Sequence, residues 1–127
     1  MKKKFIVTGI ILVTLSIALG AFGAHGLKKV LIDYPDKIDS FEVGIKYQMY
    51  MGLSFLWFGV SKLDGCKFLY PLWLLGVILF SFSIFLLSIS PIINFPLSFL
   101  GPITPIGGLL LIVGWVHLLT VVIKSKI

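Results

Sequence analysis

The stretch FLYPLWLLGVILFSFSIFLLSIS, Phe68 to Ser90, runs 23 residues without a charged side chain. About 20 residues at 1.5 Å each cross the hydrocarbon core of a bilayer, so this stretch is long enough to span one. Phe5 to Ala24 and Ile103 to Ile123 share its character. A fourth apolar stretch, Tyr47 to Val60, is shorter and holds Gln48. An amphipathic extension through Phe41, Val43 and Ile45 completes it as a helix from about Ser40 to Lys62. The chain of 127 residues is 58% hydrophobic and 13% charged, whereas soluble domains average about 45–50% apolar and about 25% charged residues. These observations predict one membrane domain over 1–127, an all-α four-helix transmembrane bundle with spans at about 5–24, 43–62, 68–90 and 104–123.

The formal charge is +6, and every basic residue is lysine. The lysines gather at span ends and not on one folded face, which argues for topology and against nucleic acid as a partner. Lys2, Lys3 and Lys4 precede the first span, Lys62 and Lys67 flank the loop between the second and third, and Lys124 and Lys126 follow the fourth. All three places fall on one side of a four-span chain. On the other side Lys28, Lys29, Lys37 and Lys46 are balanced by Asp33, Asp36, Asp39 and Glu42, and the loop after the third span is uncharged. The positive-inside rule therefore predicts N-in/C-in topology in a cell (inner or plasma) membrane. Aromatic residues agree: Trp57, Tyr70, Trp73 and Trp115 fall toward the inner interface, and Tyr34, Tyr47 and Tyr50 toward the outer one.

A cleaved secretory signal is the competing reading of the first span, because its lysine-rich start leads into an apolar run with Ala21 and Gly23 near the end. That run exceeds the usual h-region of about 7–15 residues, so the span is expected to be retained. The single Cys66 falls in the inner loop, where a reduced thiol is the default.

Lipid supplies little hydrophobic drive between helices, so small residues must let them approach. Gly9, Ser16 and Gly23 repeat at seven in span one, as do Gly52 and Gly59, Ser81 and Ser88, and Gly107 and Gly114 in the later spans. Ser16, Gly20 and Ala24 add a spacing of four. Helix ends are also predicted. Asp39 or Ser40 caps the second helix, with Glu42 completing a capping box and pairing with Lys46. Thr104 followed by Pro105 reads as N-cap and N1 of the fourth. Pro35 interrupts the first loop and leaves Leu27 to Asp33 as a short helix lying on the membrane. Pro91, Pro96 and Pro102 punctuate an outer loop whose Phe95, Leu97, Phe99 and Leu100 cover the outer mouth.

Three motifs recur in a known order: Gly20-Ala21-Phe22-Gly23-Ala24-His25-Gly26-Leu27, then Tyr47-Gln48-Met49-Tyr50, then Leu100-Gly101-Pro102-Ile103-Thr104-Pro105-Ile106-Gly107-Gly108 with Gly114-Trp115. Together they resemble the YgdD/YwdK-like family of small integral membrane proteins, the domain-of-unknown-function 423 or UPF0382 type, and are similar also to a eukaryotic transmembrane family. Two positions depart from the family pattern. Met51 stands where a histidine is frequent, and Phe80-Ser81-Phe82-Ser83-Ile84-Phe85 replaces a Phe-Ser-Gly-Ser-Leu-Tyr run. The resemblance implies a four-span membrane fold and supplies no activity.

In that topology His25, Lys46, Tyr47, Gln48, Tyr50 and Thr104 meet at the outer end as a candidate polar cluster, with the fourth span's N-terminus offering amide donors. Their competing role is to stitch helices together. His117 lies roughly 18 Å inward of Pro105 and cannot join His25 in a metal site. It reads as a proton-relay group or as a bundle-facing histidine near the inner interface. Asp33, Asp36, Asp39 and Glu42 recur at three-residue intervals, but Pro35 and the interleaved lysines favour a solvated loop over a cation site. No nucleophile motif, phosphate loop or metal-spaced cluster is present, so no enzyme activity, metal or cofactor is expected. The leading expectation is a structural or accessory protein whose partners are the lipid bilayer and either copies of itself or a larger membrane complex. The alternative is a small ligand-binding, transporter or channel module using the outer cluster.

Overall fold

The computed structural model describes residues 2–94 and 97–125. Phe95, Pro96 and Lys126, assigned above to the outer loop and inner flank, lie outside the described residues. Among the described residues the chain is helical without strands. Helix α1 is Lys3–Val30, α2 is Pro35–Val60, α3 is Leu69–Ser88, α4 is the short Ser90–Ile93 and α5 is Ile103–Lys124. A 3-10 turn at Ser98–Leu100 leads into α5. By length and composition α1, α3 and the segment Ser98–Lys124 are apolar enough to cross a membrane. Helix α2 matches them in length, but Lys46, Tyr47, Gln48 and Tyr50 dilute its apolar character.

Several ends differ from expectation. Leu27 does not begin a separate surface helix: a π-helical turn over Gly23–Leu27 carries α1 on to Val30. The cause is burial, because Leu27 and Leu31 pack with Phe41 and Phe85 in a second apolar cluster that holds this turn against α2 and α3. Pro35 does not break a helix but starts one, where its fixed φ suits the first turn and its missing N–H is not needed. Asp36 then sits at the positive end of α2. Asp39 and Ser40 are interior to α2 and not its cap, and the Ser40 hydroxyl donates back to the Asp36 carbonyl at 3.0 Å. Asp36, Asp39 and Glu42 thus lie on one helix and all are exposed. At the other end Thr104 is not an N-cap, since α5 begins at Ile103 behind Pro102. The Thr104 hydroxyl is engaged across the interface with Ser83 at 2.6 Å.

Helices α1 and α2 run antiparallel along their lengths, in a register readable from their glycines. Gly59 lies beside Ile6, Gly52 beside Leu12 and Val13, and Gly23 beside Phe41. A Cβ placed on Gly52 would stand 3.0 Å from Leu12 Cβ and 3.1 Å from the Val13 nitrogen, so the two backbones are in contact. Helices α3 and α5 repeat the arrangement: Gly76 lies against Leu111, Gly107 against the backbone of Leu79 and Phe80, and Gly114 against the ring of Trp73. Gly44 on α2 receives Phe85 of α3 and joins the two pairs. A larger core cluster fills the end near the chain's N-terminus, where Phe5, Phe55, Phe58 and Trp73 pack together. Its rings meet tilted or edge to face, with Phe5 4.6 Å from Phe58 and Phe55 5.5 Å from Trp73 between centroids.

The glycines are not equivalent. At Gly52 an added methyl meets backbone and overpacks, costing about 1–3 kcal/mol. At Gly20 the nearest atom is Ile45 Cγ2 at 4.0 Å, an ordinary contact. Thermal unfolding in detergent is expected to show Gly52→Ala clearly below wild type and Gly20→Ala unchanged; equal melting temperatures would contradict the close approach of α1 to α2.

Candidate functional site

Between the two apolar clusters lies a polar layer. Ser16 of α1, Gln48 of α2 and Ser81 of α3 are 1%, 0% and 0% exposed. Gln48 Nε2 donates to the Leu12 carbonyl at 3.1 Å, the same oxygen that accepts the Ser16 hydroxyl at 2.7 Å. Two side chains from different helices therefore converge on one carbonyl of α1. Gln48 Oε1 and the Ser81 hydroxyl have no protein partner. They lie at one level of the α2/α3 interface: Gly44 faces Phe85, and both residues stand one turn further along their antiparallel helices. Gln48 is therefore an interior residue that ties α2 to α1, beside the place where α3 crosses.

The other residues of the expected cluster go elsewhere. Tyr47 and Tyr50 are exposed and stand edge to face, 5.6 Å apart, with Tyr47 also 5.1 Å from Phe80. They line a groove of about 430 Å³ between α2 and α5, floored by Phe80 and closed by Gly108, Ile112 and Trp115. Lys46 is exposed on the other flank, in a groove of about 200 Å³ with Glu42, Gly20, Gly23 and Ala24. His25 is exposed in the π turn of α1. Thr104 bonds Ser83, which in turn donates to the Phe80 carbonyl at 3.0 Å. The structure thus brings Tyr47 and Tyr50 together and distributes His25, Lys46, Gln48 and Thr104 over four surroundings. Among the small residues, Ser88 is buried and donates to the Ile84 carbonyl at 2.7 Å, and Gly9 presses on the Gly52 carbonyl.

The opposite end is more densely bonded. Lys2 Nζ donates to the carbonyls of Phe58 and Ser61 at 3.2 and 2.9 Å, and the Lys2 backbone N–H donates to Gly59 at 2.9 Å. The start of the chain thereby satisfies the exposed carbonyls at the end of α2. His117 Nε2 accepts the Phe68 N–H at 3.4 Å, tying α5 to the start of α3. Thr8 and the Tyr70 hydroxyl meet at 2.7 Å. Among the described residues no group of three His, Cys, Asp or Glu side chains is placed to hold a metal ion.

Gly44, Gly76, Ser83 and the capping role of Lys2 escaped the sequence reading. Gly76 and Ser83 do repeat at seven, and Gly44, Gln48 and Gly52 repeat at four. Those spacings were the available signals. Nothing local marked Lys2, because its acceptors are some 56 residues away in sequence.

Two expectations follow. Gln48→Leu removes one interhelical bond, of a kind worth about 0.6 kcal/mol on average in a membrane protein, together with an unpartnered oxygen, so its melting temperature should stay near wild type. Gln48→Glu puts a carboxyl in the same interior that must either hold a proton or carry an unpaired charge, so it should unfold more readily than Gln48→Leu and increasingly so as the pH rises. Similar melting for both would show that the site is wet and open. In the 61–68 loop, burial pushes the Cys66 thiol up from its ordinary value of 9.0, with Asp64 adding to and Lys2 opposing the shift. The thiolate fraction at neutral pH is accordingly low. Maleimide labelling should be slower than that of a free cysteine peptide, with its half-maximal rate at higher pH; a faster reaction at pH 7 would reverse the assignment.

Comparison with known proteins gives a consistent answer. A family model described as "Protein of unknown function (DUF423)" matches residues 19–108. UPF0382 membrane protein YwdK of Bacillus subtilis is 38% identical over 128 residues, covering 96% of this chain and 98% of that protein. A UPF0382 membrane protein of Staphylococcus haemolyticus is 41% identical over 92% of this chain and 93% of its own length. One of Haemophilus influenzae is 34% identical over 99% and 98%. No solved structure matches. The matched segment takes in the π turn of α1, all of α2 and α3, and the glycines that open α5, and on these grounds the chain belongs to the DUF423 family of UPF0382 membrane proteins.

Proposed function

We propose that this membrane protein is a single domain crossing the bilayer four times, with both termini on the cytoplasmic side of the cell membrane. In this reading it serves as a non-enzymatic structural or accessory component, associated with copies of itself or with a larger membrane complex. The packing of α2 supports the four crossings. It lies antiparallel against α1 from Gly59 beside Ile6 to Gly23 beside Phe41, so a bilayer crossed by α1 encloses α2 as well. Lys2, Lys4 and Lys67 stand together at one end, as a cytoplasmic face requires.

The groove between α2 and α5 carries the association reading. Inside the chain the glycines already serve its own helices, whereas Tyr47, Tyr50, Ile112 and Trp115 remain around an open volume of about 430 Å³. A neighbouring helix seated there gains the van der Waals contact that drives association in lipid. The groove beside Lys46 and Glu42 favours the second reading, a ligand-binding module, because it holds two charged residues among apolar ones.

Native mass spectrometry in mild detergent is expected to find an oligomer or a bound partner for the wild type. Gly108→Leu fills the groove, its Cβ meeting Phe80 at 3.4 Å, and should yield monomers of unchanged melting temperature. Monomers alone from the wild type would end the association reading. Reporter tags at the two termini should label one face; labelling of opposite faces would end the even number of crossings.

A further inference from the structure

We propose that the corner formed by the start of α1, the 61–68 loop and the start of α3 binds the phosphate headgroup of an anionic phospholipid. A depression of about 340 Å³ opens there. Lys2, Lys4 and Lys67 line it against one acidic side chain, Asp64, and its wall is made by Phe5, Phe58 and Tyr70.

Two of the three ammonium groups are held against this wall, while Lys67 Nζ stands 5.7 Å from the Phe68 ring centroid. Lys2 Nζ stands 4.5 Å from the Phe58 ring centroid and Lys4 Nζ 4.8 Å from that of Tyr70. Tyr70 is itself fixed, by the Thr8 hydroxyl at 2.7 Å and by the Phe5 ring, whose centroid is 5.1 Å away. Cations seated on aromatic faces surrender less freedom when they meet an anion than cations extended into water. Lys2 also covers the last carbonyls of α2, which would otherwise repel a phosphate. Helix α3 begins at Leu69 and turns its positive end toward the same corner.

The combination fits an amphiphile better than a bare anion. Ammoniums take the phosphate, while Phe5, Phe58 and Tyr70 accept the glycerol and the first acyl methylenes. Basic pockets between helices on the cytoplasmic side recognise acidic lipid headgroups in this way. Only the identity of the leaflet rests on the topology proposed above; binding in detergent does not depend on orientation.

The test uses the purified full chain in a neutral detergent, titrated with dioleoylphosphatidylglycerol, dioleoylphosphatidylcholine or inorganic phosphate and read by native mass spectrometry and melting temperature. Phosphatidylglycerol should bind and raise the melting temperature, and the other two should not. One cation near an anionic surface is worth about fivefold in affinity, so Lys4→Gln with Lys67→Gln should weaken phosphatidylglycerol binding about 25-fold. Lys4→Arg with Lys67→Arg should retain it, and Lys28→Gln with Lys29→Gln at the far end should leave it unchanged. If the double glutamine variant melts early without lipid, Lys67→Gln alone should still show the fivefold loss. Equal binding of phosphatidylcholine, unchanged affinity in the glutamine variants, or equal affinity for inorganic phosphate would each overturn the assignment.

Discussion

Backbone-to-backbone approach at glycine is the interaction on which the rest of this structure depends. Lipid is as apolar as leucine, so the helices gain little by hiding apolar surface from one another and must be held by close van der Waals contact and by polar bonds. Gly52 against Leu12 and Val13, and Gly107 against Leu79 and Phe80, set two helix pairs at distances that no larger side chain would permit. Gly44 beneath Phe85 then joins the pairs. The aromatic core of Phe5, Phe55, Phe58 and Trp73 is built on that spacing.

Polar groups follow from the same constraint. A buried amide or hydroxyl in lipid finds a partner within the protein or raises the free energy of the fold. Gln48 Nε2 and Ser16 answer this by sharing the Leu12 carbonyl, and Thr104 by pairing with Ser83, whereas Gln48 Oε1 and the Ser81 hydroxyl have no protein partner. The Gln48–Leu12 and Thr104–Ser83 bonds fix rotation and register between helices, whereas the Ser16 bond lies within α1. One consequence bears on function: of the six residues that look in sequence like a ligand cluster, Gln48 and Thr104 make bonds between helices, whereas His25, Lys46, Tyr47 and Tyr50 are exposed. Among the accessible grooves are the tyrosine groove between α2 and α5, the one beside Lys46 and Glu42, and the lysine corner.

That corner also shows how one end of the chain secures the other elements. Lys2 ends α2, His117 starts α3, and Thr8 holds Tyr70. The 61–68 loop is thereby tied to α1, α2 and α5 at once. An end so bonded fixes Lys2 and seats Lys4 on the Tyr70 ring, while Lys4 and Lys67 remain exposed, as do Lys28 and Lys29 in the last turn of α1.

The amino-acid sequence by itself determined that this is a helical membrane protein, because the uncharged run from Phe68 to Ser90 and its two counterparts are properties of length and composition, and these survive any folding. It also marked Gly9, Gly52, Gly59, Gly107 and Gly114 by their spacing, since a period of seven keeps residues on one helix face. Tertiary structure alone decided what those faces meet. Whether Gln48 lines a pocket or bonds Leu12, whether Thr104 caps its own helix or reaches Ser83, and whether Leu27 leaves α1 or continues it each depend on the rotation and register of a neighbouring helix. Those quantities are set by pairs of residues far apart in the chain, and no local pattern contains them.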